Sequence, residues 1–574
     1  MKRAAEKKQD MARRFRQRSI VVVALFAVFG LSLLGKSVWL LTIANERYEA
    51  KAESLHLRER DIFAHRGIIT DRHGEPLAIS TPVDSIWAVP HELALDVEKF
   101  GPLATALDMS PEGVMRRINK RMDKQFVWLR RHLRPDQVRA VNELQLRGID
   151  VMREYKRFYP TGEVAAHLVG FANIDEKGQT GIEKAYEAAL TGESGRKRIV
   201  QDREGRAIAD VESIRTPRPG RDIALSIDSR IQYFAYRELK RAVKLHQAQT
   251  GSMVIIDVRT GEVLAMVNQP GFNPNDGSQR IGERVTNRAM TRILDPGSSI
   301  KPLVAAIAMS EGVVSASELI DTSPGVLQVG AKPITDKNNL GAIDLSTIIA
   351  RSSNVGMSMI ALRMDAEQMW RGLNRLGFGL PSTGTLHDES AGKLNHYMDW
   401  SEITQATSSY GYGLSVTPLQ LASAYATLGN DGARVPVSLL RVDDVPDSEQ
   451  VFPVDVARRV LEMMEHVVKP GGTGTKAAIP GYRVAGKTGT SWKWVNGEYT
   501  RDKYYSVFAG VVPVDNPRLA AVIIIDEPKK GDYYGGDVAA PVFSEVMREA
   551  LRLMALPPDN VPGLVDPQPL VAQQ

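Results

Sequence analysis

From Ile20 to Leu41 the chain runs 22 positions that are apolar or small, broken only by Lys36. About 20 such residues cross the hydrocarbon of a bilayer as a helix. The run therefore predicts one membrane-spanning helix, with the rest of the chain folding on one side of it. Lys36 sits near the far end, where its stem can reach the headgroups, and Trp39 suits the same interface. Eight basic residues from Lys2 to Arg18, against only Glu6 and Asp10, precede the run. Positive charge stays cytoplasmic, so Met1 is expected inside and everything after about Asn45 outside. A cleaved signal peptide would have a shorter apolar region and a small-x-small site after it, and neither is present.

The net charge of +5 is accounted for by that basic end and gives no argument for a nucleic-acid partner. There is no cysteine, which excludes disulfides, thiolate metal sites and cysteine nucleophiles. The ten histidines show no metal-ligating spacing. No metal and no cofactor are expected.

The chemistry centres on Leu294-Asp295-Pro296-Gly297-Ser298-Ser299-Ile300-Lys301-Pro302. Apolar residues at Ile300, Leu303, Val304 and Ile307 predict a buried helix with Ser298 and Lys301 in its first turn. Residues three apart on a helix are neighbours. Burial and the helix N-terminus both disfavour an ammonium, so Lys301 is expected to be a neutral amine able to take the Ser298 proton. Two other Ser-x-x-Lys runs, Ser194 to Lys197 and Ser390 to Lys393, carry glycine inside the spacing and lie in turn-like sequence.

Two further motifs follow in order: Ser352-Ser353-Asn354 and Lys487-Thr488-Gly489-Thr490. The ordered trio is the signature of penicillin-binding proteins and class A β-lactamases. Its residue types suit acyl transfer. Ser352 can pass a proton to a leaving amine, and Asn354 can hold a substrate amide or tether Lys301. Lys487 supplies positive potential for a substrate carboxylate, with the Thr488 and Thr490 hydroxyls as donors. Gly489 lets a substrate backbone approach the strand, and the N–H groups of Ser298 and Thr490 are the candidate oxyanion hole.

Gly481 to Thr488 also fits the phosphate-loop pattern G-x-x-x-x-G-K-[ST]. That loop needs a strand before it and a helix after. Here Tyr482, Arg483 and Val484 read as strand, and Gly489, Thr490 and then Asn496-Gly497 follow Thr488.

Elsewhere, Arg66-Gly67-Ile68-Ile69-Thr70-Asp71-Arg72-His73-Gly74 predicts a hairpin, with Arg66 and Asp71 as a structural ion pair beside its turn. Residues 91–150 read as mostly helical, and Thr191 to Arg221 as extended arms or a domain boundary. A new domain starts near Asp222, whose Asp228 caps a helix from Ser229 to about His246. Next come a hairpin (Ser252 to Val258, Glu262 to Val267), a helical body to about Leu428, three closing strands (Tyr482 to Ser491, Tyr504 to Val512, Leu519 to Ile525) and a last helix from Pro541 to Met554. The fold class is α+β, with helices layered on an antiparallel sheet.

In the motif trio, in the Arg66 to Arg72 segment, in Tyr410-Gly411-Tyr412-Gly413-Leu414-Ser415-Val416-Thr417-Pro418, in Asp526-Glu527-Pro528 and in Tyr533-Tyr534-Gly535-Gly536, the chain resembles the class B penicillin-binding proteins, most of all their division-specific D,D-transpeptidases. The resemblance implies a basic cytoplasmic tail (1–19), a transmembrane anchor (20–41), an elongated pedestal (42–221), a penicillin-binding transpeptidase domain of the serine β-lactamase type (222–556) and a disordered tail (557–574). It implies that Ser298 attacks the D-Ala-D-Ala bond of a stem peptide in septal wall synthesis, that β-lactams trap it, and that Tyr505, Tyr533 and Tyr534 are candidate walls of the cleft. A cell inner membrane with a periplasmic catalytic domain is the implied location. A SEDS-type glycosyltransferase of the FtsW kind and other division proteins are the implied partners. An elongation-specific enzyme and a β-lactam sensor or division scaffold without turnover are the alternatives. The Glu-Asp-x-x-Phe-x-x-His motif of bifunctional relatives is missing around Phe63 and His65.

Overall fold

The computed structural model describes residues 2–42, 57–201, 207–495 and 497–559. The stalk expected from Asn45 to about Leu57 and the tail expected after Leu556 fall almost wholly outside these residues. Two compact units divide the chain: Met1–Ala64 with Pro82–Glu154 and Glu193–Arg218, and His65–Thr81 with Tyr155–Gly192 and Pro219–Gln574.

The first unit opens on one helix, Lys2–Thr42, which continues from the basic tail through the apolar run. Its stretch from Lys7 to Thr42 is long and apolar enough to cross a membrane, and none of its most apolar window is buried. Leu57–Ile62 pairs antiparallel with Gly195–Gln201, which pairs in turn with Ala207–Arg215, so much of the stretch read as extended arms is a β-hairpin. Between them, helices Phe100–Ala106, Pro111–Asn119 and Pro135–Glu143 share a small core built on Leu103, Val114, Ile118 and Val141. Residues 91–150 are not helical throughout, because Val127–Leu133 is a strand. Val127 and Leu129 are buried while Trp128 and Arg130 face outward. That period of two was hidden by the charged residues carrying it.

The second unit is built around a five-stranded antiparallel sheet. Its strands are β1 (Thr250–Asp257), β2 (Val263–Gln269), β3 (Ala485–Val495), β4 (Glu498–Val512) and β5 (Leu519–Asp526), in the order β2-β1-β5-β4-β3. Successive side chains of a strand point to opposite faces. β5 is apolar at every position but Asp526, and β1 carries the unbroken apolar run Met253–Ile256, so both faces must be covered. Met253, Ile255, Ala521 and Ile523 pack on one side with Leu239 and Phe543, from the helices Ser229–Leu245 and Ala540–Leu553. Val254, Ile256, Val522 and Ile524 pack on the other with the helical body. There lie α1 (Lys301–Ser310), α2 (Leu345–Arg351), α3 (Asn354–Ala361) and α4 (Pro418–Gly429). Asp228 caps the Ser229 helix as expected, accepting from Arg230 N at 3.0 Å.

β3 and β4 run further than the sequence reading allowed. The strand begins at Ala485, since Tyr482 instead turns its hydroxyl to Leu556 O at 2.7 Å. It continues past Ser491, where Trp492 pairs with Tyr504 and Trp494 with Tyr499.

The Arg66–Asp71 pair is not formed. Both residues are buried, each with other partners. Arg66 donates to Glu183 Oε2 at 2.8 Å and to Glu187 Oε2 at 2.7 Å, while Arg157 donates to Glu183 Oε1 at 2.6 Å. Asp71 instead accepts the N–H groups of His73 and Glu75, holding the turn after Ile69–Thr70. A short sequence window could not supply Glu183, more than a hundred residues away.

Candidate active site

Ser298 does not lie in the first turn of the α-helix. It sits in a 3-10 turn, Gly297–Ile300, that runs directly into α1 at Lys301. Residues three apart eclipse one another in a 3-10 turn, so Ser298 and Lys301 still share a face. Gly297 is left-handed at φ 55°, and Gly411, at φ 89°, comes so close that a Cβ there would lie 2.2 Å from Gly297 O. Only glycine can occupy such a position. Tyr425, wholly buried on α4, donates to Ser299 O at 2.6 Å, and Ser299 Oγ donates to Pro296 O at 2.7 Å. The turn is thereby fixed from both sides. Ser298 itself stays half-buried and faces a cavity of about 500 Å³, also lined by Ser352, Asn354, Thr488, Thr490 and Tyr534.

Asp295 ties the same turn to the edge of the sheet. Its carboxylate accepts from Tyr499 at 2.6 Å and Ser415 at 2.9 Å, and its carbonyl accepts from Ser491 Oγ at 2.7 Å. Burial raises the Asp295 carboxyl above its ordinary value, against those hydrogen bonds. Gly489 also has a packing role. A Cβ there would lie 2.9 Å from Pro296 O, so glycine is what lets β3 close on the nucleophile's turn.

Ser352 lies between α2 and α3 with left-handed backbone (φ 61°, ψ 42°), an uncommon state for a residue with a Cβ. Lys301 Nζ holds it there, donating to Ser352 O at 2.6 Å and to Asn354 Oδ1 at 2.8 Å, with Ser352 Oγ at 3.2 Å. Lys487 Nζ approaches the same hydroxyl from β3, at 3.0 Å, and also donates to Thr488 O. Thr488 Oγ1 lies 2.7 Å from Thr473 Oγ1, and Thr490 Oγ1 accepts from Gly535 N at 3.1 Å. Asp336 was not found from sequence. It accepts the N–H groups of Asn354 (2.5 Å) and Val355 (3.1 Å), as well as the Ser353 hydroxyl, and so anchors the start of α3.

Both lysines are fully buried. Burial pushes Lys301 well below the ordinary lysine value; the charge of Lys487 pushes the same way and Asp336 opposes. Burial alone takes Lys487 down to about 7. A neutral Lys301 has two N–H bonds and one lone pair. Ser352 O and Asn354 Oδ1 accept the two hydrogens, which leaves the lone pair free for a hydroxyl proton. Among the described residues Ser298 Oγ makes no hydrogen bond, to Lys301 or to any other group. In unliganded sites catalytic contacts are often long and tighten when substrate binds.

Of the three tyrosines, Tyr534 lines the cavity. Tyr533 stacks on Tyr504 with ring centres 4.2 Å apart and donates to the Tyr534 hydroxyl. Tyr505 packs against the main core beneath Lys493, whose Nζ is 4.9 Å from its ring centre. Asp336 and Tyr425 are additions to the site that no motif marked, and Asp295 takes a role that its place in the Leu294 to Pro302 motif did not assign.

Two domain families match the chain. "Penicillin binding protein transpeptidase domain" covers residues 251–548, and "Penicillin-binding Protein dimerisation domain" covers 61–225. The peptidoglycan D,D-transpeptidase FtsI of Escherichia coli is 42% identical over 533 residues, 92% of this chain and 90% of that one. Among solved structures, the transpeptidase domain of penicillin-binding protein 3 from Burkholderia pseudomallei shares 39% identity at a TM-score of 0.55, covering 59% of this chain and 98% of that one. Penicillin-binding protein 3 of Mycobacterium tuberculosis, solved in complex with aztreonam, shares 27% identity at a TM-score of 0.68, covering 88% and 99%.

Proposed function

The chain belongs to the class B penicillin-binding proteins and is a serine-type peptidoglycan D,D-transpeptidase of septal wall synthesis that binds β-lactams; from that premise we propose that Ser298 is its nucleophile and Lys301 its base. Ser298 Oγ attacks the carbonyl carbon of the penultimate D-alanine, and its proton passes to the Lys301 lone pair. The N–H groups of Ser298 and Thr490 receive the oxyanion. As the C–N bond breaks, the proton travels through the Ser352 hydroxyl to the leaving amine, and D-alanine departs. An amine of a neighbouring strand then attacks the acyl carbon and gives up its proton along the same path. The C–O bond to Ser298 breaks and the hydroxyl is restored.

The observation that carries this reading is that two buried lysines converge on one hydroxyl, Ser352, behind a cavity lined by Ser298. Lys487, Thr488 and Thr490 take the substrate's terminal carboxylate. An opposite charge favours the charged form, so Lys487 becomes fully protonated when that carboxylate arrives. The phosphate-loop reading lacks support, because Gly481 to Thr488 leads into β3 and no helix follows.

The test is labelling by a fluorescent penicillin followed by peptide mapping. Label on the Ser298 peptide, lost in Ser298→Ala, supports the assignment, and label retained in the variant refutes it. Cross-linked product from lipid-linked substrate distinguishes the transpeptidase from a sensor that only acylates. The helix Lys2–Thr42 is a candidate membrane anchor. A cytoplasmic N-terminus, a periplasmic catalytic domain and a pedestal that engages a SEDS-type glycosyltransferase of the FtsW kind and other division proteins complete the proposal.

A further inference from the structure

The mouth of the Ser298 cavity carries two cations that the acylation chemistry does not use. Lys337 and Arg351 both line it and both are exposed. Arg351 spends one hydrogen on Gly471 O at 2.9 Å, and Lys337 Nζ lies 6.0 Å from the centre of the Tyr534 ring. Among the described residues neither has an acidic partner. The acids lining the same cavity are already engaged. Asp336 is held by the Ser353 hydroxyl and two backbone N–H groups, and Asp537 is paired with Lys476 at 2.8 Å. The rim therefore keeps two cations without an ion-pair partner among the described residues, while the terminal carboxylate of the substrate is assigned to the Lys487 strand. A guanidinium with free N–H groups beside an ammonium is a carboxylate receptor.

We propose that Arg351 and Lys337 form a subsite for a second carboxylate on the donor stem peptide, making the enzyme selective for donors that carry one. This rests on the transpeptidase reading of the same cavity. A stem peptide offers that group in two places: the side-chain carboxylate of a diamino-dicarboxylic third residue, or the free α-carboxylate of a γ-linked glutamate at the second.

Three lipid-linked pentapeptide donors separate them: one with meso-diaminopimelate and free glutamate, one with lysine in place of the diaminopimelate, and one with the glutamate amidated. The readout is kcat/KM for D-alanine release by the full-length membrane protein with a partner glycosyltransferase. Loss of the recognised carboxylate lowers kcat/KM by about tenfold or more, the scale of a charge-assisted contact. In the double variant Arg351→Gln, Lys337→Gln that ratio falls to about twofold or less. The donor whose rate drops identifies the source. Equal rates for all three donors with Ser298 still labelled by penicillin overturn the subsite, as does discrimination that persists in the double variant. Failure of penicillin to label Ser298 would instead remove the transpeptidase reading, and the subsite with it.

Discussion

Arg66 and Arg157 enter the interior of the second unit together with their counter-ions, whereas among the described residues Lys301 and Lys487 have no ion-pair partner. Glu183 lies fully buried between the two arginines, and Glu187 adds a second carboxylate to Arg66. Burial by itself would lower the Arg66 guanidinium, but Glu183 and Glu187 outweigh it and hold the group above its ordinary value. Around the lysines the partners are carbonyl and hydroxyl oxygens, and the one nearby acid, Asp336, is occupied by α3. The contrast shows two ways to bury a cation. A structural cluster brings its neutralising charge with it. A catalytic cluster leaves the charge uncompensated, which keeps one amine unprotonated and able to accept a proton, and the other ready for an incoming carboxylate.

The largest break in that contrast comes from Glu183→Gln. It leaves the buried Arg157 without its carboxylate partner and Arg66 with Glu187 alone, and should cost about 3–5 kcal/mol in denaturant unfolding; a loss below about 1 kcal/mol would mean the cluster is not charge-balanced as described. Lys301→Met removes a buried amine that has no ion-pair partner among the described residues, so the melting temperature should hold or rise. Acylation of Ser298 by penicillin should fall by roughly 10²–10⁴-fold, as for loss of a positioned base. A melting temperature that collapsed as it does for Glu183→Gln would erase the distinction. Lys487→Met sharpens it. Unfolded Lys487 titrates near 10.5 and the folded group at about 7. Between those values the unfolded chain binds more protons, so the cost of burying the lysine is full below 7 and fades towards 10.5. Wild-type stability should therefore climb more steeply across that window than the variant's, and at pH 7 the variant should melt higher by roughly 2–5 °C. The smallest effect is that of Tyr499→Phe. Losing one hydrogen bond to Asp295 should cost about 1 kcal/mol and slow acylation by a few-fold, with labelling still confined to Ser298.

Much of the catalytic cluster is legible in the sequence because each of its parts is local. Ser298 and Lys301 are three residues apart, and Ser352 and Asn354 are two apart. Lys487 to Thr490 lie on one strand. What escaped were contacts between distant segments. Asp336 reaches α3 from a separate loop, and Tyr425 reaches the nucleophile's turn from the middle of α4. Asp295 was named only as part of a motif, although its partners Ser415 and Tyr499 come from two other segments. Arg66 was paired with the nearest acid in sequence, when its partners come from residues 183 and 187. The fold followed the same rule. A continuous apolar run located β5 to within one residue, while the outer half of the β3–β4 hairpin, rich in aromatic and charged side chains, carries no such run.

The most direct test is the rate constant for Ser298 acylation at saturating penicillin, followed from pH 5 to 11 in the wild type and in Lys301→Met. An uncompensated, buried lysine pair predicts a rate that rises to its plateau with an apparent pKa far below 10.5, a value belonging to the pair, and a rise that disappears in the variant. A rate that keeps climbing through about 10.5, as for an ordinary lysine, would contradict it.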